Sequence, residues 1–220
     1  MHRARTFATP GRRTAPAAAA VLATVSLAVL AACERAAPAT EDVHTVEYYT
    51  PQFTEDRQLV LPRAAQWREW PQVGTPVTPN ALNGGAAPFP EFHSVYIDPE
   101  SWEHWRNTGD FRDGTVLAKE LVSVYDVNAA SDGSTEQVSG RGYFMGQFAG
   151  FEIAYKSAVH FPEAPGNWAY YSFGHHAPPY APAAEEMPLE SCSSCHEASA
   201  AQDFVFTQFY PVLRDAQPDD

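Results

Sequence analysis

The chain has 220 residues, 45% of them hydrophobic, and carries 14 Lys and Arg against 27 Asp and Glu for a formal net charge of −13. That acidity argues against a nucleic-acid partner. The length is ample for one domain with a sizeable core.

In chain order the first signal is a leader. Arg3, Arg5, Arg12 and Arg13 make a basic start, and Ala17 to Leu30 is an apolar run too short to span a bilayer. It ends in Leu30-Ala31-Ala32-Cys33, which looks like a bacterial lipobox, with a diacylglyceryl thioether on Cys33 and cleavage just before it. The rival is an ordinary Ala-x-Ala signal with an incidental Cys33, but Leu, Ala and Ala all fit the three positions before the cysteine. Arg12-Arg13 makes a weak twin-arginine signal, because the expected apolar residues do not follow closely. Residues 1–32 are therefore read as a signal peptide. Residues 33–45, rich in Ala, Pro, Thr and acid, are read as the lipidated Cys33 and a flexible tether. The expected location is the periplasm, with attachment to the membrane by lipid alone. From Cys33 onward 188 residues remain, with 10 basic against 27 acidic, a net of −17. A basic soluble electron acceptor, or a small uncharged or cationic substrate, suits such a surface; plain solubility explains it equally well.

Residues 46–220 show no repeat, composition break or second linker, so they read as one domain. Pro62 to Trp70 predicts a short helix with Pro in its first turn. Asp98-Pro99-Glu100 predicts another, with Asp as N-cap and Pro at the first helical position, carrying Trp102 and Trp105 and stopping near Gly109. His93 to Ile97, Thr115 to Tyr125, Gly142 to Phe148, Phe151 to Phe161 and Asn167 to Phe173 are rich in β-branched and aromatic residues and predict strands. In the fourth, Phe151, Ile153, Tyr155, Val159 and Phe161 alternate with Glu152, Ala154, Lys156, Ala158 and His160. Ala129 to Ser139 reads as a polar loop, and an aromatic helix is predicted from about Asp203 to Asp215, kinked at Pro211. The fold class expected is α+β, mainly β: an antiparallel sheet with short helices, one of them carrying the motif described next. A four-helix bundle does not fit this pattern.

That motif is Cys192-Ser193-Ser194-Cys195-His196, the C-x-x-C-H attachment signature of c-type haem. Two thiols one helical turn apart can add to the two vinyl groups of one porphyrin, and the adjacent imidazole is placed to ligate the iron. A thioredoxin-type redox disulfide would want a surrounding βαβ pattern, which Pro188 and the short polar run before Cys192 do not supply. A structural zinc site would need two more Cys or His ligands at short spacing, and none lies nearby. With Cys33 assigned to lipid and Cys192 and Cys195 to haem, stability must come from a packed core.

Longer stretches carry a further resemblance. Trp70-Pro71-Gln72-Val73-Gly74-Thr75, Val95-Tyr96-Ile97-Asp98-Pro99-Glu100-Ser101, Thr108-Gly109-Asp110-Phe111-Arg112-Asp113-Gly114-Thr115, Lys119-Glu120-Leu121, Pro165-Gly166-Asn167-Trp168-Ala169 and Val205-Phe206-Thr207-Gln208-Phe209-Tyr210-Pro211 are among them. Over roughly Leu59 to Leu213 the chain resembles cytochrome P-460 and its sister, the β-sheet form of cytochrome c-prime. The resemblance implies a homodimer of mainly antiparallel β domains, each with one five-coordinate haem c whose open distal face meets small nitrogen compounds. It implies that Lys119, in its Lys-Glu-Leu motif, is bonded through its side-chain nitrogen to a meso carbon of the porphyrin. Members with that bond oxidise hydroxylamine, giving nitrous oxide or nitrite according to the available oxidant; in this chain the electrons are expected to leave to a soluble c-type cytochrome. Members without it bind nitric oxide or carbon monoxide, so Lys119 separates an enzyme from a gas-binding protein.

Individual residues bear on that choice. Lys119 shares strand parity with Leu117 and Leu121, and an amine facing an apolar surface loses water and gains nucleophilicity. Glu152, in a Gly-x-Glu segment matching the family's, is the candidate proton acceptor for oxidising bound hydroxylamine; the bland reading pairs it with Lys156 on a solvated face. His93 departs from the family pattern, which has an arginine at this place. It reads as a satisfied polar residue or, failing that, a relay or ligand of the distal pocket. Phe144 and Phe151 are expected in that pocket too. His175 and His176 fall in a Pro-rich loop and read as surface residues. Met145 and Met187 are the residues that could supply a sixth ligand and make the protein a plain electron carrier. Phe111, Trp168, Tyr170, Phe204, Phe206 and Phe209 read as core and pocket wall.

Overall fold

The computed structural model describes residues 48–218, so the signal peptide, Cys33 and the tether lie outside the described residues. At its centre is a five-stranded antiparallel sheet. Its strands are β2 (Gln72–Gly74), β3 (Phe92–Ile97), β4 (Val116–Val124), β7 (Met145–Lys156) and β8 (Trp168–Ser172), in spatial order β2-β3-β4-β7-β8. Two small pairs accompany it: β1 (Leu59–Val60) with β9 (Ala183–Ala184), and β5 (Thr135–Gln137) with β6 (Gly140–Gly142). Three short α-helices complete the described chain: α1 (Pro99–Thr108), α2 (Ser193–Ser199) and α3 (Pro211–Asp215). The mainly β, antiparallel architecture expected from the sequence is the one found. Among the described residues no helix is long and apolar enough to cross a membrane.

Period-two alternation sorts the sheet's side chains into two cores. One face carries Ala118, Phe151, Ile153, Tyr155, Ala169 and Tyr171. It is covered by the N-terminal segment through Leu59, Trp67 and Trp70, with Trp67 stacked on Phe151 at 3.9 Å between ring centroids. Glu120 shares this face and is buried, a costly place for a charge unless it is paired. Arg68 meets it with two donors, at 3.0 and 2.7 Å, and the Tyr180 hydroxyl adds a third at 3.3 Å. The other face carries Val95, Ile97, Leu117, Trp168 and Tyr170, covered by α1 and the C-terminal segment. Trp105 of α1 is fully buried there and donates its indole N–H to the Leu213 carbonyl at 2.8 Å, joining α1 to α3.

The first helix forms where the sequence predicts it. Asp98 caps it by accepting from the Ser101 amide at 3.0 Å, Pro99 opens it, and Gly109 closes it in the left-handed conformation (φ 73°). The other oxygen of Asp98 accepts from the Val116 amide at 2.8 Å and so fixes the start of β4 as well.

Elsewhere the boundaries differ from the expectation. The predicted strands Gly142–Phe148 and Phe151–Phe161 are replaced by one twelve-residue β7 that ends at Lys156. A register shift opposite Leu121 and Val122 puts a bulge at Ala149, which breaks the alternation so that one strand reads as two. The polar loop at 129–139 contains β5. Pro62–Trp70 is a 3₁₀ segment, Arg63–Glu69, interrupted by positive φ at Ala64 and Ala65. The predicted aromatic helix from Asp203 starts only at Pro211. Asp203 and Phe204 both have positive φ, and a 3₁₀ turn at Thr207–Phe209 precedes α3.

Candidate functional site

A cavity of about 330 Å³ lies between the second sheet face and the C-terminal segment. The sheet contributes His93, Lys119, Glu152, Trp168 and Tyr170; the C-terminal segment contributes Cys192, Cys195, His196, Phe204 and Phe206. Strand register explains the sheet wall. Val95 pairs with Lys119, Lys119 with Glu152, and Glu152 with Ser172, so these positions form one row across four strands. His93 lies two residues from Val95 and therefore on the same face.

On the C-terminal side, Cys192 sits immediately before α2, and Cys195 and His196 lie within it. Both thiols are free. Burial first, with Glu152 adding, pushes the Cys192 thiol above its usual range. His196 has a defined tautomer: its Nδ1 lies 2.6 Å from the Phe204 carbonyl, which can only accept, so Nδ1 carries the proton and Nε2 keeps its lone pair. Burial lowers the His196 pKa and favours the neutral, ligating form. Tyr170 at 4.6 Å and Phe206 at 4.7 Å, centroid to centroid, flank the ring and hold its plane.

Two free thiols one turn apart, an imidazole with a bare Nε2 and an apolar slot make a donor set that fits a c-type haem. The buried Tyr170 hydroxyl, which has no protein partner, is a polar atom on the same slot that the polypeptide leaves unsatisfied. Among the described residues no group of three or more His, Cys, Asp and Glu side chains could hold a metal ion, so the zinc reading of the two cysteines gains nothing.

On the sheet side, Lys119 Nζ lies 2.5 Å from Glu152 Oε2, with each side chain 25% exposed. The ammonium also sits 4.4 Å above the Phe89 ring. Nearby, His93 Nε2 donates to the Phe89 carbonyl at 3.3 Å. Burial, then the Lys119 charge, lower the His93 pKa, so the ring is neutral at neutral pH. His175 and His176 are both exposed, as expected; His175 is hydrogen-bonded to the buried Glu91 at 2.7 Å, and His176 bonds the Ala177 carbonyl.

The structure thus brings Lys119, Glu152, His93, Cys192, Cys195 and His196 onto one cavity and leaves other expected residues outside it. Phe151 points to the opposite core, because neighbouring strand residues face opposite sides and Glu152 takes the cavity side. Phe144 lies beyond the end of β6, away from the lining. Met145 is exposed, whereas Met187 lines the cavity. Glu152 is paired with Lys119, not with Lys156, whose amine is bound to Asp203 at 2.7 Å. Phe89 and Glu91 were missed by sequence reasoning: Pro88-Phe89-Pro90 has no periodicity that would assign it to the site.

Chemically, the arrangement sets an amine and a carboxylate in contact, backed by a neutral imidazole, above a cavity whose other wall offers two thiols and a second imidazole. A family model described as Cytochrome P460 matches residues 64–207, more than half of the chain. No curated protein matches the chain.

Proposed function

The chain belongs to the cytochrome P460 family of haem c proteins, and on that premise we propose that it is a periplasmic hydroxylamine oxidoreductase. One observation carries the reading: Lys119, Glu152, Cys192, Cys195 and His196 share a single cavity. In this reading Cys192 and Cys195 would hold the haem by thioethers, His196 Nε2 would ligate the iron, and Lys119 would make the additional bond to the macrocycle. The haem iron supplies a site for the substrate nitrogen and a path for its electrons.

The protein's own residues handle protons and position. Hydroxylamine gives up protons along with electrons, and Glu152 is the carboxylate placed to take them. With Lys119 bonded to the macrocycle its amine would no longer hold the Glu152 oxygen that lies 2.5 Å away, and that carboxylate would be free for the task. His93, neutral and next to Lys119, supplies a second site that can hold a proton. Phe89, Trp168, Phe204 and Phe206 exclude water from the rest of the slot.

Electrons leave to a soluble c-type cytochrome, for which the acidic surface is suited, and the protein acts as a homodimer tethered through lipidated Cys33. A second reading has one observation in its favour. The Lys119–Glu152 ion pair is a satisfied resting arrangement, which would suit a nitric oxide-binding protein without the additional bond.

The test is turnover. Purified protein should retain haem through acid–acetone extraction and oxidise hydroxylamine with an artificial oxidant. The Cys192→Ala/Cys195→Ala double variant should lose thioether attachment. Intact haem c without turnover would favour the nitric oxide-binding reading.

A further inference from the structure

The chain has two lysines, and the second, Lys156, is not needed for the chemistry above. It lies at the end of β7, largely buried, and binds three acceptors: both oxygens of Asp203, at 3.0 and 2.7 Å, and the Gly166 carbonyl at 3.0 Å. Asp203 also receives the Trp168 indole N–H at 3.4 Å. Asp203 and Phe204 are the central residues of a tight turn closed by the Val205 amide on the Gln202 carbonyl (2.8 Å), and both are left-handed, with φ 44° and 62°. Positive φ at both central positions defines a type I′ turn, which ordinarily calls for Asn-Gly. Phenylalanine in that conformation is strained and persists only where its surroundings impose it. Here they do. Lys156 and Trp168 grip Asp203, and the Phe204 ring packs so closely on Gly166 that a Cβ there would fall 2.5 Å from it. The product of this turn is the Phe204 carbonyl, held 2.6 Å from Nδ1 of His196.

We propose that Lys156 and Asp203 are positioning residues for the haem's axial ligand: they clamp a strained turn so that the Phe204 carbonyl stays hydrogen-bonded to His196 and sets the electron donation of the imidazole to the iron. An acceptor on Nδ1–H raises the basicity of the imidazole and strengthens its bond to the metal. A carbonyl on a free loop would drift. One on a clamped turn would keep the imidazole electron-rich and its plane fixed, which favours the ferric state of an iron bound to it. The inference rests on His196 being the iron ligand.

It is tested on the full-length, haem-loaded protein by resonance Raman of the ferrous form and by redox titration. Lys156→Met and Asp203→Ala should each shift the iron–histidine stretching band to lower frequency and raise the reduction potential. Lys156→Arg should restore both towards wild type. So should Lys156→Met combined with Asp203→Asn, because Asn tolerates the left-handed conformation and leaves no unpaired carboxylate. If Lys156→Met does not accumulate, Asp203→Ala carries the same test. Folded Lys156→Met and Asp203→Ala variants with wild-type band and potential would overturn the clamp alone. A wild-type protein with no iron–histidine band would overturn the ligand reading and the clamp with it.

Discussion

Replacing Asp98 by Ala should cost this protein several times more than its single position in the chain suggests. The carboxylate is fully buried and serves two elements, accepting from Ser101 N of α1 at 3.0 Å and from Val116 N of β4 at 2.8 Å. Loss of the cap costs about 1 kcal/mol. Val116 is also fully buried, and stranding its amide without an acceptor adds about 1–3 kcal/mol. Against this, the variant no longer buries a carboxylate whose pKa burial has raised, and Arg112 keeps Glu100 at 2.8 Å. The two costs sum to about 2–4 kcal/mol and the offset puts the net loss towards the lower end of that range, read as a lower urea midpoint for the haem-loaded protein at unchanged slope. Asp98→Asn separates the two roles, because its amide oxygen can cap α1 but its NH₂ then faces the Val116 N–H; it should still lose about 1–3 kcal/mol. Glu100→Gln, which breaks only a surface ion pair with Arg112, should stay within about 1 kcal/mol of wild type. Asp98→Ala no more costly than Glu100→Gln would refute the bridging role.

The remaining predictions concern the cavity. Glu152→Gln keeps shape and loses basicity, so hydroxylamine turnover should fall by about 10²–10⁴-fold with the absorption spectrum unchanged, as read by steady-state kinetics with an artificial oxidant; undiminished turnover would assign the proton to another group. His93 gives a pH signature. Burial and Lys119 lower its folded pKa below the ordinary 6.5, while the Phe89 carbonyl, Glu91 and Glu152 oppose the shift. The unfolded chain therefore takes up this proton first. The resulting loss of stability is absent above the unfolded value and grows as pH falls from 6.5 through the lowered folded value. Denaturation midpoints of His93→Gln should accordingly fall less than wild type between about pH 7 and pH 5; parallel profiles would contradict the burial argument.

How much of this was legible in the sequence depended on distance along the chain. The first helix was readable end to end, since Asp98, Pro99 and Gly109 each act within a turn of where they stand. The meeting of Cys192, Cys195 and His196 at one cavity was readable for the same reason, since local spacing sets two thiols and an imidazole together. Strand parity correctly put Lys119 on the cavity with Leu117. Applied consistently, parity would also have kept Phe151 off the wall that Glu152 lines. What sequence could not supply was register between strands: nothing local says that Glu152 lies opposite Lys119, or that Lys156 reaches Asp203. The turn at Asp203-Phe204 was hidden because neither Gly nor Pro marks it; tertiary clamping, not propensity, imposes its left-handed backbone.

A bond between Lys119 and the haem would make the protein an enzyme rather than a gas binder. Tryptic digestion of the purified protein followed by mass spectrometry tests it most directly, alongside the ferrous absorption spectrum of the same sample. The expected result is one haem peptide linking the Lys119 segment to Cys192–His196, with a Soret band far to the red of ordinary haem c, and loss of both the link and the shift in Lys119→Met. A haem peptide holding Cys192–His196 alone, with an ordinary haem c spectrum, would contradict it.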